Sequence, residues 1–389
     1  MKKSVILLFW ICFMSHPLFS QDSLQKKVTL NGYASFMQTI MDVDPQSGDL
    51  QYESQLHNRL NSAYAPLPWL SFSLQARNRL IMGDRFRSDY GDVEKNTLGA
   101  DPGLVDLSFN LLEGESFVLN TSIDRFWMKY TLNRWELTVG RQRINWGLTY
   151  VWNPNDWFNN FSFFDFDYPE RPGSDAIKIT YYTGNLSGIE TVLKSDSTGR
   201  ITAAVLGKLH AGSYDFQILG GILSSEDLGM GFGWAGGIGN VGFRGEMSYF
   251  HPVHHAADTT GLLLLSVSLD YTFRNSLTIQ AEVLYNQVAP GQTGGFLAFY
   301  RRPLSVKDLS FTPWNLCFQA SYPLSPLVST ALAVLYFPEI AGYYIGPSLT
   351  WSMGDNLDFS LIAQVFNGEV PDMGRQTLSL GFLRLKYSF

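Results

Sequence analysis

The chain has 389 residues, of which 45% are hydrophobic, 15% aromatic and only 16% charged, and its formal net charge at pH 7 is −7. This acidic balance argues against nucleic acid as a partner, because binding to phosphate backbones relies on an excess of lysine and arginine. Thirty-five glycines, few charges and many aromatic residues favour short alternating strands over a helical globule.

The N-terminus is predicted to be a signal peptide. Two lysines precede an apolar run, Val5–Met14, which is shorter than the roughly 20 residues that a spanning helix needs. We place the cleavage after Ser20, so that residues 1–20 are the signal peptide and residues 21–389 the mature protein. Loss of the two lysines changes the net charge to −9. The mature chain then keeps one cysteine, Cys317, so no internal disulfide is expected.

From residue 28 onward, polar and apolar residues alternate along one segment after another. This period predicts strands with one polar and one apolar face. The first three predicted strands cover Val28–Ile40, the residues around Glu53–Asn61 and the residues around Leu70–Met82. A long connection, Asp84–Glu115, follows, and a short helix is predicted within it around Leu104–Leu112.

The alternation continues to the C-terminus. The fourth predicted strand, Phe117–Thr131, turns at Asn133 into a strand that begins at Trp135. The later predicted strands are Ala176–Tyr182, Gly188–Lys194, Ile201–Leu209, Tyr214–Leu223, Leu228–Gly239, Val241–Phe250, Leu262–Phe273, Leu277–Asn286, Leu316–Tyr322, Val328–Phe337, Tyr343–Met353, Leu357–Phe366 and Leu378–Phe389. We count eighteen strands, with sixteen as the alternative because the glycine-rich region Met230–Gly242 is hard to divide.

The connections between these strands fall into two length classes that alternate along the chain. Every second connection is a tight turn, such as Asn133-Arg134 or Ala211-Gly212, and the long connections, such as Asp84–Glu115 and Gln287–Pro313, all belong to the other class. Outer-membrane barrels have short periplasmic turns and long extracellular loops. The sorting therefore predicts an antiparallel transmembrane β-barrel.

The last predicted strand supports the same fold class. Leu383, Leu385, Tyr387 and Phe389 are apolar at every second position and end on an aromatic residue. This arrangement resembles the C-terminal signal by which the outer-membrane assembly machinery recognises its barrels. We therefore expect the assembly machinery and outer-membrane lipid as partners.

If the apolar faces meet lipid, the polar faces line the lumen, because an Arg or Lys on the lipid face near mid-membrane costs roughly 2–4 kcal/mol. Arginines are concentrated on the second to fifth predicted strands, and later strands carry carboxylates such as Glu190, Glu246 and Glu282. Either an arginine wall selects solutes in a pore, or the charges pair and only stabilise a packed barrel. Sixteen to eighteen strands leave an aqueous channel, which favours the pore. The candidate pore-lining residues are Arg59, Arg77, Arg79, Arg125, Arg141 and Arg143.

The strand that begins at Trp135 loses its alternation at Gly140. Continued without a break, the pattern would place Arg141 and Arg143 on the apolar face with Val139. A bulge at Gly140 would move both arginines to the polar face, so a bulge is predicted there.

A long aromatic loop follows this strand, and we expect it to constrict the lumen. Folded inward, its rings would narrow the pore or stack on apolar faces of solutes. Folded flat, they would pack on one another and close the top of the barrel. The candidate constriction residues are Trp152, Asn153, Asp156, Trp157, Phe158 and Arg171.

Sequence motifs in this region carry a resemblance to known proteins. Gly140-Arg141-Gln142, Trp146-Gly147, Asn153-Pro154 with Asp156, and Arg171-Pro172-Gly173 form a pattern that is similar to one in porin-like outer-membrane barrels, including families near the alginate-export and aromatic-degradation porins. The resemblance covers about a tenth of the chain. It implies a barrel that passes solutes, without naming the solute.

Together these observations predict a porin-like outer-membrane channel for passive passage of small polar or anionic solutes. The alternative is a closed structural or surface barrel that belongs to an envelope assembly or attachment system. An enzyme is not expected, since His57 is the one strand-borne histidine in a plausible position and no nucleophile is legible beside it. No cofactor and no metal are expected either, because the cluster His251, His254 and His255 lacks placed carboxylates.

Overall fold

The computed structural model describes residues 27–42, 50–87, 91–159, 170–254, 260–287, 305–370 and 374–389. The predicted signal peptide lies outside these residues, as does the central part of the aromatic loop, residues 160–169. The signal peptide therefore stays a prediction.

Within the described residues, nineteen strands join in a single sheet, and every pairing is antiparallel. Their bounds are β1 Val28–Asp42, β2 Leu50–Leu67, β3 Leu70–Gly83, β4 Ser108–Glu113, β5 Phe117–Leu132, β6 Trp135–Gln142, β7 Ser174–Tyr182, β8 Gly188–Ser195, β9 Ile201–Ala211, β10 Tyr214–Leu223, β11 Asp227–Ile238, β12 Val241–Pro252, β13 Leu262–Thr272, β14 Thr278–Asn286, β15 Trp314–Ser325, β16 Val328–Phe337, β17 Gly342–Gly354, β18 Leu357–Val370 and β19 Gly374–Ser388. One α-helix, α1, covers Gly91–Gly99, and short 3₁₀ helices cover Asp84–Arg87 and Pro338–Ile340.

Eighteen of these strands form a closed ring. β1 pairs with β2 on one side and with β19 on the other, and the ring closes where the backbones of Gly32 and Phe389 exchange two hydrogen bonds of 2.9 Å. The remaining strand, β4, pairs with β5 and lies outside the ring order, because β5 also pairs directly with β3 and β6. The predicted eighteen-stranded antiparallel barrel is confirmed, and Met230–Gly242 contributes to two strands, β11 and β12.

The two faces of the ring differ in the way that the alternation predicts. Apolar residues such as Phe36, Leu56 and Ile218 are exposed on the outside, whereas inward-facing residues such as His57 and Arg59 are buried. A polar interior behind an apolar exterior is the arrangement of a barrel surrounded by lipid. None of the helices in the described part of the chain is long and apolar enough to cross a membrane.

The helix predicted around Leu104–Leu112 is wrong, because this region contains β4 and α1 lies earlier in the chain. The reason is an open edge on β5. β6 pairs only with Phe126–Leu132, so the N-terminal half of β5 has unpaired backbone groups on that side, and β4 pairs with its residues Val118–Ser122. Tertiary pairing thus overrides a local pattern that also fits a helix.

The bulge predicted at Gly140 is also wrong. The pairing of β6 with both neighbouring strands runs through Gly140 without a shift in register. Arg141 pairs with Asp175, which lies on β7. Gly140 is needed for a different reason, since its φ is +110° and an added Cβ would lie 2.3 Å from the carbonyl oxygen of Phe126. The register shift lies instead in β5, beside Asp124 and Arg125, both of which are buried.

Candidate functional site

After Gln142 the chain leaves the wall and enters the lumen. Residues 143–159, which we call the lumenal segment, form no strand, and residues 151–159 are all buried. Their hydrogen-bond partners include inward-facing side chains of β8, β10, β12 and β14. The described part of the aromatic loop is therefore folded inward and covers the part of the barrel wall between β8 and β14.

Two buried glutamates hold the lumenal segment by its backbone. Glu246 on β12 accepts hydrogen bonds from the backbone N–H groups of Leu148, Thr149 (2.7 Å) and Asn155 (2.8 Å). Glu282 on β14 accepts from those of Tyr150 (3.0 Å), Val151 (3.0 Å) and Trp152 (2.8 Å). A buried carboxylate needs such donors, and charge-assisted hydrogen bonds are among the stronger ones. Each glutamate thus binds several backbone N–H groups of the segment, and we call Glu246 and Glu282 the receptors of the lumenal segment.

A lane of glycines gives the segment room against β11. Gly229, Gly231 and Gly233 alternate on the inward face of that strand, and added Cβ atoms there would lie 2.7–2.9 Å from Trp157 or Asn155. The Asn155 amide donates to the carbonyl of Phe232 (3.0 Å), and its oxygen accepts from Ser248 (2.8 Å). We call Gly229, Gly231 and Gly233 the glycine lane, because they let a side chain reach the backbone of the wall.

Other carboxylates of the later strands bind side chains of the segment. Trp146 donates its indole N–H to Glu190 (3.0 Å), and the Tyr150 hydroxyl donates to Asp270 (2.7 Å). The guanidinium of Arg244 lies 4.5 Å from the centre of the Tyr150 ring. These carboxylates hold the lumenal segment instead of forming an open acidic wall.

Arg59 and Arg77, two of the candidate pore-lining residues, lie together on the opposite part of the ring. Arg59 is 0% exposed and forms an ion pair with Asp124, and it also donates to Gln75 (2.7 Å) and Asn61 (2.9 Å). Arg77 lies 3.6 Å from the same Asp124 carboxylate. Arg59 also lies 3.7 Å from the carboxylate of Glu170, so the two arginines share two carboxylates.

Arg79 donates to an asparagine side chain, and Arg125 donates to backbone carbonyls. Arg79 donates to the side-chain oxygen of Asn120 at 3.4 Å. Arg125 donates to the backbone carbonyls of Glu170 (2.7 Å) and Arg171 (2.9 Å), where the chain returns from the loop to the wall. Arg125 thus fixes the return point of the loop.

Arg141 links the ends of β6 and β7 to residues 101–107, which cover the opening beyond these ends. β6 ends at Gln142 and β7 begins at Ser174, so the ring lacks strand backbone above this pair. Residues 101–107 cross the opening, and Arg141 binds them through Asp101 (2.6 Å) and the Val105 carbonyl (2.7 Å). The same guanidinium also binds Asp175 (2.7 and 2.8 Å). The hydrogen bonds of Arg141 thus go to strands of the wall and to residues 101–107.

Arg143, Arg171 and Asp156 form a charged cluster on the loop. Arg143 is exposed, and its guanidinium makes no hydrogen bond or ion pair with a residue that the structure describes. Burial raises the pKa of Asp156 to about 6, opposed by a hydrogen bond from the backbone of Asn159 and by the nearby Arg171 and Arg143. Burial and the charge of Arg143 lower the pKa of Arg171 to about 10. Among the described residues, the cluster thus contains two arginines near one buried carboxylate.

The structure thus divides the predicted site residues into three groups. Arg59, Arg77, Arg79 and Arg125 lie near one another on β2, β3 and β5, Arg141 lies apart in the wall, and Arg143 is on the lumenal segment. Trp152, Asn153, Asp156, Trp157 and Phe158 are buried in the segment, with the Trp157 indole donating to Ser248 (3.0 Å). The receptor role of Glu246 and Glu282 was missed, although alternate glycines in a strand signal close approach of another chain segment.

A closed ring of antiparallel strands with an apolar exterior defines the class of outer-membrane β-barrels. No protein-family model matches this sequence, and no curated protein matches it. Solved structures with a similar fold include OccAB4 of Acinetobacter baumannii (TM-score 0.60, 11% identity, covering 95% of this chain and 100% of that one). OprD of Pseudomonas aeruginosa is also similar (TM-score 0.56, 11% identity, 95% and 97% coverage), as is OccAB2 of A. baumannii (TM-score 0.58, 11% identity, 92% and 98% coverage). At this identity the likeness shows the fold.

Proposed function

We propose that the protein is a porin-like channel of the bacterial outer membrane that passes small polar or anionic solutes by diffusion. A ring of eighteen strands is wide enough for an aqueous lumen, and the lumenal segment covers only part of its wall. Outer-membrane lipid, the barrel assembly machinery and the solutes are its proposed partners. Passive passage needs no catalytic group and no cofactor.

The observation that carries this proposal is the exposed Arg143 beside Arg171. The segment that narrows the lumen presents an arginine that forms no ion pair with the described residues, and Arg171 adds a second positive charge. Such a positive field concentrates anions at the constriction. Arg59, Arg77, Arg79 and Arg125 lie near one another on β2, β3 and β5, and in this proposal they line the passage together with Arg141, which also holds the wall together.

Planar-bilayer recording tests the proposal. We expect steady open-channel current and a reversal potential in a salt gradient that indicates anion preference. Arg143→Gln should reduce this preference, whereas Arg134→Gln in the β5–β6 turn serves as the matched control and should leave it unchanged. Anion preference that survives Arg143→Gln would remove Arg143 from the filter.

Absence of channel current from correctly folded barrels would favour the alternative, a closed structural barrel in an envelope assembly or attachment system. The similarity to alginate-export and aromatic-degradation porins stays a prediction. Liposome-swelling assays with uronates, aromatic acids and neutral sugars of similar size would test it, with faster uptake of the acids expected.

A further inference from the structure

One part of the outer surface carries polar side chains where lipid is expected. On β2 the buried residues Gln55, His57 and Arg59 face the lumen, so that Leu56, which is 49% exposed, and Asn58 face outward. Asn58 pairs with Asn78 on β3, and Asn78 pairs with Thr121 on β5. These three residues lie side by side on three strands, and we call them the amide row.

The amide row is linked by hydrogen bonds. Thr121 donates to the Asn78 side-chain oxygen (2.8 Å), and the Asn78 amide donates to the Asn58 oxygen (3.4 Å). The Asn58 amide donates to the backbone carbonyl of Tyr33 (3.2 Å). Each asparagine amide has two N–H groups, so one N–H of Asn58 and one of Asn78 are left without a partner among the described residues.

The row lies near the middle of the membrane. Tyr52 and Tyr64 lie on the same face of β2 as Asn58, six residues away on either side, and they are 49% and 45% exposed. Tyrosines mark the two membrane interfaces of outer-membrane barrels. Six residues of strand correspond to roughly 20 Å along the strand, so Asn58 is as far from one interface as from the other.

The outer face on the far side of the ring carries a row without polar side chains. One row across β10 to β13 consists of residues paired in register whose side chains are all apolar. These residues are Ile218, Phe232, Met247 and Leu265. The amide row differs from this row, and a polar group in hydrocarbon is unfavourable unless its hydrogen bonds are satisfied.

We propose that the amide row is the contact surface between two copies of this chain in the membrane. The row is neutral, and each amide is both donor and acceptor, so that it can pair with its own copy across a twofold axis. Ala34 on β1 pairs with Asn58 on β2, and Ala76 lies two residues before Asn78 on the same face of β3. Small residues beside polar ones allow close approach, as they do between membrane helices. The inference does not depend on the channel function.

Disulfide cross-linking in native outer membranes tests the contact. In a Cys317→Ser background, Asn58→Cys should yield a covalent dimer under mild oxidation, because the residue lies near the twofold axis. Met247→Cys, in the apolar row on the far side, is the matched control and should stay monomeric. Equal cross-linking of the two variants, or a product of Asn58→Cys with the mass of a different protein, would overturn the proposal.

A second measurement tests the same contact without a cysteine variant, in case Asn58→Cys does not fold. Native mass spectrometry of protein released from lipid nanodiscs should show dimers for the original chain and mainly monomers for Asn58→Leu/Asn78→Leu. The double variant should keep the heat-modifiable mobility of a folded barrel. A monomeric original chain, or a dimer fraction unchanged by the two leucines, would contradict a twofold contact at this surface.

Discussion

Arg141 at the end of β6 binds two carboxylates and a backbone carbonyl. The position of this arginine in a strand, facing a presumed lumen, predicts a selectivity residue. In the structure its guanidinium contacts Asp101, Asp175 and the carbonyl of Val105. Residues 101–107 are far from Arg141 in sequence, and a periodic pattern contains no information about which distant segment covers a strand end.

We predict that Arg141→Gln destabilises the barrel. Removal of one partner from a buried ion pair leaves Asp101 and Asp175 uncompensated and costs about 3–5 kcal/mol. The free energy of unfolding in urea, measured after refolding into lipid vesicles, should fall by this amount. Arg200→Gln is the control, because its ion pairs with Asp196 and Glu226 are exposed and each contributes about 1 kcal/mol or less. Equal losses of unfolding free energy in the two variants would contradict the role of Arg141 in joining residues 101–107 to the wall.

A second residue-scale prediction concerns the pH dependence of Asp156. Its pKa is raised to about 6, so the ionised carboxylate is the form that folding disfavours. The contribution of Asp156 to stability is therefore present at low pH and is lost as the pH rises through about 6. Protonation also removes a negative charge beside Arg143 and Arg171, and anion preference should increase as the pH falls through this value.

Reversal potentials measured on both sides of pH 6 would check this prediction. Asp156→Asn should hold the anion preference at its low-pH value throughout. A pH-dependent change of the same size in Asp156→Asn would show that a different group titrates.

At the scale of elements, period-two alternation was enough to predict the strands, their faces and the short turns. The turn after β9 illustrates this, since Gly212 has a φ of +66° and joins Ala211 to Tyr214. The pattern could not predict β4, because β4 exists only where β6 leaves an edge of β5 open. It also could not predict the receptors of the lumenal segment, whose hydrogen bonds join residues 91 to 132 positions apart.

The glycine lane gives an element-scale prediction. Gly231→Leu should displace the lumenal segment, because an added Cβ would already lie 2.8 Å from the Asn155 oxygen and overpacking costs about 1–3 kcal/mol. In a Cys317→Ser background, Asn153→Cys, at another buried position of the same segment, should then react faster with a water-soluble thiol reagent. Gly207→Leu on β9 is the control, since the nearest atom to its added Cβ is 3.9 Å away. Unchanged labelling in Gly231→Leu would show that the wall tolerates the larger side chain.

At the scale of the whole molecule, closure of the ring depends on the C-terminus. Leu383, Leu385, Tyr387 and Phe389 are exposed on the outer face of the last strand and its end. Phe389 also bonds to the backbone of Gly32 on β1. The predicted assembly signal and the closing seam therefore share residues, and the two roles have to be separated by experiment.

We predict that Phe389→Ala lowers the amount of heat-modifiable barrel in cells while refolding of the purified protein into lipid vesicles stays nearly unchanged. The ring bonds at this position are made by the backbone, so a side-chain change should affect recognition by the assembly machinery more than closure. Phe36→Ala, which also removes an exposed outer-face ring, is the control and should affect neither amount. Equal losses in cells and in vesicles would assign Phe389 to closure alone.

The positions of Glu246 and Glu282 in the chain also determine when the lumenal segment can fold into place during synthesis. The segment is synthesised before β12 and β14, so Glu246 and Glu282 become available as hydrogen-bond acceptors only when the chain has been made as far as β14. The lumenal segment can therefore reach its final position only after both of these strands have been made.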